Sequence, residues 1–185
     1  DDEARGAADL AALAPRPDDC VVGIAASGRT PYVLGAMALA RANGCLTVGI
    51  TTNRPVPLAG YVDHLLDPLV GPELLTGSTR LKSGTAQKLL LNTLSTVSQI
   101  QLGKTYRNLM VDVQASNSKL RARAVRIVAA ACEIDHEAAA ALLARCDDEV
   151  KVAIISYNLG LAPAEARRRL AEARGHIHLA LAETI

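Results

Sequence analysis

Residues 21–32, with the sequence VVGIAASGRTPY, restrict the possible fold of this 185-residue chain more than any other stretch. The run from Cys20 to Ala26 is short, apolar and rich in valine and isoleucine, which predicts a buried strand. Small polar residues follow, and Pro31 then opens an apolar run that predicts a helix. The stretch therefore predicts a strand, a tight turn and a helix in immediate succession.

The predicted turn, Ser27-Gly28-Arg29-Thr30, has the composition of an anion-binding loop. Such a turn directs backbone N–H groups to one point beside the positive end of a helix, and its side chains add further donors. The stretch matches neither G-x-x-x-x-G-K-[ST] nor G-x-G-x-x-G. It also fails the nucleophile elbow G-x-S-x-G, because Ala25 and Arg29 occupy the glycine positions, so Ser27 is a poor candidate nucleophile. Two interpretations stay open here: a phosphate site, and a tight turn that requires small residues.

Two further apolar runs continue the pattern. Leu46 to Thr51 predicts a second strand, and His64 to Val70 predicts a third, which Pro68 weakens. Strands that alternate with helices predict a parallel sheet with helices on its faces. Ligands of such sheets bind beyond the carboxyl ends of the strands, which is where the turn at Ser27 falls. The segment from Asp1 to Arg16 predicts a short helix or turn.

The segment from Gly71 to Lys88 is the second unusual stretch. It combines glycines, hydroxyl groups, Arg80 and Lys82 directly before a helix predicted over Thr85 to Leu102, whose apolar spacing predicts that it is largely buried. Polar residues crowded before a buried helix are typical of a ligand-facing helix start. The alternative is a capped helix whose two basic residues pair with surface acids. We interpret Glu73, the carboxylate of this motif, as pairing with a neighbouring base rather than as a chemical group.

From Asn117 onward the sequence changes to short, alanine-rich amphipathic helices. Four are predicted, over residues 120–131, 135–145, 149–159 and 163–174. Asp135 has the position of an N-cap, Gly160 that of a helix-ending glycine, and Pro163 that of a first helical residue. This part predicts a small helical bundle of about sixty residues.

The composition excludes several classes of ligand. The 20 basic and 19 acidic residues give a formal net charge of +1, which provides no basic field for nucleic acid or for an anionic membrane. The four tyrosines, without Trp or Phe, argue against base stacking and against aromatic platforms for sugars. We therefore expect a small-molecule ligand that is held through its charge and its hydroxyl groups.

The remaining features concern the cysteines, the histidines and the chain start. The four cysteines form no C-x-x-C pair and lie in apolar patterns, so we expect buried free thiols in a reducing compartment. His176 and His178 lack a third ligand nearby, so no metal site is predicted.

No run is long enough to span a membrane and the start is acidic, unlike a signal peptide, so we expect a cytoplasmic protein. The chain begins at Asp1 without an initiator methionine, and we expect a fragment.

Three runs of this sequence closely resemble the N-acetylmuramic acid 6-phosphate etherases, bacterial members of the sugar isomerase (SIS) domain superfamily. The runs are VVGIAASGRTPYVLG at Val21 to Gly35, GPELLTGSTRLKSGTAQKLLLNTLST at Gly71 to Thr96, and GK…NLMVDV at Gly103 to Val113. The resemblance covers essentially the whole chain. It implies an α/β fold, a three-layer α/β/α SIS domain with an incomplete parallel sheet in residues 1–116, followed by a small C-terminal helical domain in residues 117–185.

The resemblance implies a cytoplasmic lyase of peptidoglycan recycling. It would split the D-lactyl ether of N-acetylmuramic acid 6-phosphate into N-acetylglucosamine 6-phosphate and D-lactate, as a homodimer without a metal or an organic cofactor. In this chemistry, ring opening exposes an aldehyde at C1 that acidifies the C2 proton. A base removes that proton, an acid protonates the lactyl oxygen that leaves C3, and water then adds. The reaction needs two carboxylates with separate roles and a group that fixes the phosphate.

Eight residues of the matching runs are candidate substrate-binding residues. The first group, assigned to the sugar-phosphate site by both the chemistry and the resemblance, comprises Ser27, Gly28, Arg29 and Thr30. The second group, expected near the sugar or the lactyl carboxylate, comprises Ser78, Thr79, Arg80 and Lys82.

No catalytic residue is assigned on this chain. In the etherases both catalytic glutamates precede the run VVGIAASGRTPY, one of them near a glycine-rich phosphate turn that is absent here. The other belongs to an E-D-x-x-x-x-G run, of which Asp1-Asp2 through Gly6 matches the end, and Glu3 is out of register for it. We therefore expect this polypeptide alone to be inactive and its sheet to leave an apolar strand edge unpaired.

Two alternatives remain at this point. A non-enzymatic sugar-phosphate-sensing protein, similar to the glucokinase regulatory proteins of the same superfamily, would need the same anion site without an acid–base pair. The chain is too short, however, for the tandem SIS domains of those regulators. An aldose–ketose phosphate isomerase is less well supported, because the sequence shows no well-placed pair of His and Glu.

Overall fold

The computed structural model describes residues 2–182 and divides the chain between Thr93 and Leu94 into two compact units. The first unit contains a parallel sheet with helices, and the second is mainly helical. The α/β class predicted from the sequence is therefore confirmed. Asp1, which carries part of the predicted match to the acidic run, lies outside the described residues.

The first unit is built on a three-stranded parallel sheet in the order β1-β2-β3. In chain order its elements are α1 (Glu3–Ala11), β1 (Cys20–Ile24), α2 (Pro31–Ala42), β2 (Leu46–Ile50), a 3-10 helix (Pro57–Tyr61) and β3 (His64–Leu66), and α3 (Lys82–Gln101) begins in it. Ile50 lies opposite Ile24 in one neighbouring strand and opposite Leu66 in the other. The three predicted strands are confirmed, and β3 ends before Pro68, which has no N–H to donate to a ladder.

Strand β1 forms an edge of this sheet. Val22 and Ile24 are 37% and 38% exposed, so the predicted apolar strand edge is present among the described residues. Cys20 is exposed at the start of the same strand, whereas the other three thiols are buried. The predictions of a buried strand over this run and of a buried thiol at Cys20 were therefore wrong, because the edge position leaves the strand uncovered.

Helices α1 and α2 approach each other backbone against backbone. A Cβ atom added to Gly6 would lie 1.9 Å from the carbonyl oxygen of Tyr32, and one added to Gly35 would lie 1.9 Å from that of Glu3. The Tyr32 hydroxyl also donates to the Asp9 carboxylate at 3.1 Å. Of the predicted alternatives for this segment, a short helix or a turn, the helix forms, and two glycines set its distance from α2.

The core of the first unit lies between α2, the sheet and the 3-10 helix. Its buried members are Met37, Val56, Leu58 and Val62. Thr47, in the central strand, is fully buried, and its hydroxyl donates to the Asp63 carboxylate at 2.7 Å. This bond ties the central strand to the residue that precedes β3.

Helix α3 departs from its prediction. It forms over nearly the predicted range, but Ser83 is its one buried residue in the described chain, and Leu89, Val97 and Ile100 are 64%, 47% and 47% exposed. No helix or strand of residues 2–182 packs extensively along it. The prediction of a largely buried helix was therefore wrong, because the described chain does not cover its apolar face.

The second unit is a helical bundle preceded by a short antiparallel hairpin. Its elements are β4 (Thr105–Tyr106), β5 (Leu109–Met110), α4 (Ser118–Cys132), α5 (His136–Arg145), α6 (Val150–Leu159), α7 (Pro163–Glu172) and α8 (Ile177–Leu181). The four predicted helices are confirmed, and the hairpin and α8 were not predicted. The predicted N-cap is also confirmed, since the Asp135 carboxylate accepts the N–H of Ala138 at 2.8 Å.

Helix α6 lies at the centre of this bundle. Val152, Ile154 and Ile155 are fully buried in one apolar cluster with residues of α4, α5, α7 and α8. Gly160 ends the helix with φ +64° and Pro163 begins the next, as predicted. Within residues 2–182, no helix combines the length and the hydropathy needed to cross a membrane.

Candidate functional site

The predicted turn lies at the carboxyl end of β1 and leads directly into α2. The N–H of Gly28 donates to the carbonyl of Ala25 at 2.9 Å, and the N–H of Arg29 donates to the Ser27 hydroxyl at 3.3 Å. The carbonyl of Gly28 accepts the N–H of Leu58 at 3.1 Å. The turn is therefore closed by its own bonds and tied to the 3-10 helix.

Gly28 is required by this geometry for two reasons. Its φ of +62° lies in the left-handed region, which residues with a Cβ rarely adopt. A Cβ at this position would also lie 2.6 Å from the Cβ of Val56, far inside ordinary contact distance. The geometry therefore requires a small residue at this position, which agrees with the interpretation of the stretch as a tight turn that requires small residues.

The turn also presents donors that its own structure leaves unused. The backbone N–H groups of Ser27 and Thr30 donate to no atom of residues 2–182, and the Thr30 side chain does not cap α2. The guanidinium groups of Arg29 and Arg80 likewise form no ion pair or hydrogen bond within the described chain. Because the helix beginning at Pro31 adds a positive N-terminus, the turn combines N–H donors and positive charge at an exposed surface.

The carbonyl of Ala26, directly before the turn, accepts four donors from the end of β2. They are the hydroxyl of Thr51 at 3.0 Å, the N–H and hydroxyl of Thr52 at 3.1 and 3.3 Å, and the Asn53 amide at 2.8 Å. Sequence reasoning missed these three residues. The signal was present, since a polar run directly follows a strand of a parallel sheet, at the edge where ligands bind.

Thr52 also connects this turn with the second motif. Its hydroxyl lies 2.9 Å from the hydroxyl of Ser83 in the first turn of α3, and both residues are buried. Ser83 immediately follows Lys82, just as Ala26 immediately precedes Ser27. Through its hydrogen bonds to Ala26 and Ser83, Thr52 therefore links the turn at Ser27 to the second stretch, Gly71 to Lys88.

Glu73 acts as a cap for α3. Its two carboxylate oxygens accept the N–H groups of Lys82 and Ser83 at 2.9 and 3.0 Å. The N–H of Ser83, followed by that of Lys82, lowers the pKa of the Glu73 carboxyl below its ordinary value. A carboxylate that is held ionised by two backbone donors supports a structural role for Glu73, although the partners are N–H groups rather than the predicted basic side chain.

The other residues of the second motif lie in and around the loop before α3. Ser78 and Thr79 belong to turns, with their N–H groups donating to the carbonyls of Leu75 and Gly77 at 3.0 Å. The Lys82 amine donates to the carbonyl of Pro72 at 2.9 Å, so it closes the loop instead of pairing with a surface acid. Arg80 and Lys82 both line an open groove of about 770 Å³ at the start of α3.

The capping role of Glu73 predicts a pH effect on stability. Because the folded-state pKa is lowered, the stabilisation is complete above the ordinary value of 4.5 and is lost as the pH falls through the lowered value. Glu73→Gln should therefore remove part of the acid-dependent loss of stability, measured by urea unfolding at a series of pH values. Asp18→Asn, which removes an exposed carboxylate outside the helices and strands, is the control and should leave the loss of stability at low pH unchanged. If the free energy of unfolding fell equally with decreasing pH in the Glu73→Gln variant and in the unsubstituted chain, this role would be contradicted.

Residues 2–182 contain no cluster of three or more His, Cys, Asp or Glu side chains with metal-binding geometry. His176 and His178 contact each other edge to face, with ring centroids 5.5 Å apart. The features that could hold a ligand in the first unit are thus backbone N–H groups, hydroxyls and basic side chains.

The chain is similar to several curated bacterial proteins. An N-acetylmuramic acid 6-phosphate etherase of Rubrobacter xylanophilus is 58% identical over 178 residues, which cover 96% of this chain and 58% of that protein. Proteins of the same name from Streptomyces avermitilis and Deinococcus radiodurans are 55% and 51% identical, over 98% and 99% of this chain and 58% and 60% of their own lengths. The chain therefore spans about three fifths of the length of these relatives.

Two family models match separate parts of the chain. The model of the C-terminal lid domain of glucokinase regulatory protein matches residues 107–157. The model of the SIS domain matches residues 4–97, just over half of the chain, and includes the parallel sheet and both predicted motifs. On this evidence the chain belongs to the SIS domain family.

Proposed function

We propose that this chain forms the sugar-phosphate-binding part of an N-acetylmuramic acid 6-phosphate etherase. Such a lyase splits the D-lactyl ether of its substrate by elimination and hydration, yielding N-acetylglucosamine 6-phosphate and D-lactate in peptidoglycan recycling. The similarity to proteins of that name over almost the entire chain supports this assignment. The proposal places the reaction in amino sugar metabolism in the cytoplasm.

One structural observation carries the proposal. The N–H groups of Ser27 and Thr30 and the guanidinium of Arg29 are unused within the described chain and lie at the N-terminus of α2. A phosphate has several acceptor oxygens and a negative charge, so it satisfies these donors better than a neutral sugar hydroxyl would. We assign this turn, including Gly28, to the substrate phosphate.

The second motif is proposed to hold the other end of the substrate. Its residues are Ser78, Thr79, Arg80 and Lys82. The Arg80 guanidinium has no partner among residues 2–182 and lines the groove at the start of α3, so it suits the lactyl carboxylate. A substrate held at both ends would keep its C2 proton and C3 oxygen at fixed positions for the elimination.

Proton transfer is not assigned to this second motif. Elimination needs a base at C2 and an acid at the C3 oxygen, and each must gain or lose a proton during turnover. Glu73 is a poor candidate for either role, because two N–H groups hold its oxygens and lower its pKa. We propose that this chain binds the substrate and by itself releases no D-lactate.

A homodimer is proposed for the assembled protein. The chain carries no charged side chain from Leu89 to Gly103, and five of the six apolar residues of α3 in this span are exposed. A symmetric contact along such a face would bring no like charges together.

The boundary between the sugar-phosphate-binding part (residues 1–116) and the helical domain (residues 117–185) is also proposed. The capping of α4 supports it, since the Asn117 side chain accepts the N–H of Leu120 at 2.9 Å.

A second candidate function is supported by one specific observation. Residues 107–157 match the lid domain of glucokinase regulatory protein, so the helical unit is compatible with a non-enzymatic protein that senses sugar phosphates. Such a protein would use the same turn to bind a phosphate. It would differ in its preferred ligand and in acting on a partner protein rather than on a bond.

Titration calorimetry with the chain tests the proposal. We expect N-acetylmuramic acid 6-phosphate to bind and N-acetylmuramic acid without phosphate to bind much more weakly. Arg29→Ala should weaken the first affinity about tenfold, since it removes a charge-assisted hydrogen bond. Arg123→Ala removes the same charge from an exposed position of α4 and serves as the matched control.

Three results would contradict the proposal in different ways. A preference for fructose phosphates over the muramic acid derivative would favour the sensing protein. Equal effects of the two arginine substitutions would contradict the assignment of the turn. Release of D-lactate by the chain would show that its own carboxylates transfer the protons.

A further inference from the structure

The burial pattern of α3 is inverted, because a serine is buried while leucines are exposed. Ser83 is 4% exposed, whereas Leu89 in the same helix is 64% exposed. Burying a hydroxyl contributes little to stability even when it is hydrogen-bonded, and an apolar residue would anchor a helix more effectively. What the Ser83 side chain makes instead of an apolar contact is a hydrogen bond with the Thr52 hydroxyl, and a hydrogen bond depends on direction.

The buried hydroxyls form a continuous path between the two motifs. The Ser83 hydroxyl lies 2.9 Å from that of Thr52, which lies 3.3 Å from the carbonyl oxygen of Ala26. If the Thr52 hydroxyl donates its single proton to that carbonyl, Ser83 must donate to Thr52. Each hydroxyl then has a partner, and a buried polar pair that is satisfied in this way is directional.

The path ends on a carbonyl whose peptide also carries an N–H group of the turn, and the Thr52 hydroxyl is one of the four donors on that carbonyl. The carbonyl of Ala26 and the N–H of Ser27 belong to one planar trans peptide, so they point in opposite directions. The donors on the Ala26 carbonyl therefore also fix where the Ser27 N–H points. That N–H is one of the unused donors of the turn.

We propose that Thr52 and Ser83 are positioning residues of the sugar-phosphate site. Their hydroxyl pair fixes the start of α3, which carries Arg80 and Lys82, relative to the turn at Ser27. A ligand that spans both motifs is bound tightly because the two sets of donors are held in one arrangement before it arrives. The effect on ligand binding rests on the function proposed above, and the effect on the turn does not.

The first test uses no ligand. Ser83→Ala is introduced into the isotope-labelled chain, and the amide NMR resonances of Ser27 and Thr30 are compared with those of the unsubstituted chain. We expect both resonances to shift, although Ser83 is remote in sequence. Thr93→Val, which removes a hydroxyl from an exposed position of the same helix, is the control and should leave them in place. Unshifted Ser27 and Thr30 resonances in Ser83→Ala would overturn the proposal.

The second test separates positioning from general damage. Thr52→Val keeps the side-chain shape without the hydroxyl and should weaken binding of N-acetylmuramic acid 6-phosphate about tenfold. Binding of inorganic phosphate, which lacks the lactyl carboxylate assigned to Arg80, should change less. Thr52→Ser restores the hydroxyl and should recover most of the affinity. The double variant Thr52→Val/Ser83→Ala should bind no more weakly than Thr52→Val alone, since both substitutions break the same path.

The outcomes of the two tests are distinguishable. An unsubstituted chain that does not bind the sugar phosphate would refute the proposed function, and the NMR comparison would still decide whether the hydroxyl pair orients the turn. Equal losses for inorganic phosphate and for the sugar phosphate in Thr52→Val would overturn the positioning role. Failure of Thr52→Ser to recover affinity would do the same.

Discussion

Replacing Gly6 by alanine is expected to separate α1 from α2 and to lower the free energy of unfolding by about 3 kcal/mol. Alanine is intrinsically favoured over glycine inside a helix by about 1 kcal/mol, so propensity alone would predict a gain. The contact reverses the sign, because the new Cβ would lie 1.9 Å from the carbonyl oxygen of Tyr32. A backbone atom cannot rotate away as a side chain can, so the whole helix must move. Urea unfolding followed by circular dichroism measures the effect.

Two comparisons make this prediction specific. Gly60→Ala places a methyl group where no atom lies within 4 Å and should change stability by less than about 0.5 kcal/mol. Gly35→Ala meets the carbonyl of Glu3 at 1.9 Å and should cost as much as Gly6→Ala. The double variant should cost less than twice as much, because a helix that has already moved away cannot be displaced again. A stability gain in Gly6→Ala would show that the helices are farther apart than the structure places them.

Gly28→Ala is the second substitution with a large expected effect, also about 3 kcal/mol. Two costs add at this position, namely a left-handed φ of +62° and a new Cβ at 2.6 Å from the Cβ of Val56. Val56 is β-branched and stiff, and its Cβ is fixed to the backbone, so it does not give way. The free energy of unfolding from urea denaturation is again the measurement.

The two costs at Gly28 can be separated. Gly77 has φ +82°, and a methyl group added to it would have no atom within 4 Å. Gly77→Ala therefore reports the backbone cost alone, about 1 kcal/mol. The remaining cost should fall when Val56 is shortened, and Gly28→Ala/Val56→Ala should be less destabilised than the sum of its single variants. Equal losses for Gly28→Ala and Gly77→Ala would show that the contact with Val56 is unimportant.

Local patterns predicted most of the framework of this chain. The run VVGIAASGRTPY places a strand, a turn and a helix start within 12 residues, and the structure follows it because each signal acts on its own neighbours. The same holds for the helix caps at Asp135, Gly160 and Pro163. Pro68 also limited the third strand, as its missing N–H requires.

Contacts between distant residues could not be predicted in this way. Helical periodicity shows that α3 has an apolar face, but it does not show which surface covers that face, and the burial prediction was therefore wrong. The hydroxyl pair of Thr52 and Ser83 joins residues that are 31 positions apart, and neither carries a local signal for the other. The close approach at Gly6 could not be predicted for the same reason, since a glycine in a helical pattern does not indicate which other segment contacts it.

The glycine contacts also differ in how they can change during evolution. The neighbour of Gly28 is a side chain, so a smaller residue at position 56 can relieve the contact with a new Cβ, while the cost of the left-handed φ at residue 28 remains. Gly6 and Gly35 each face a peptide carbonyl, which every amino acid carries. Substitution of Tyr32 or Glu3 leaves these carbonyls in place, so a side chain at Gly6 or Gly35 can be accommodated only if the two helices move apart.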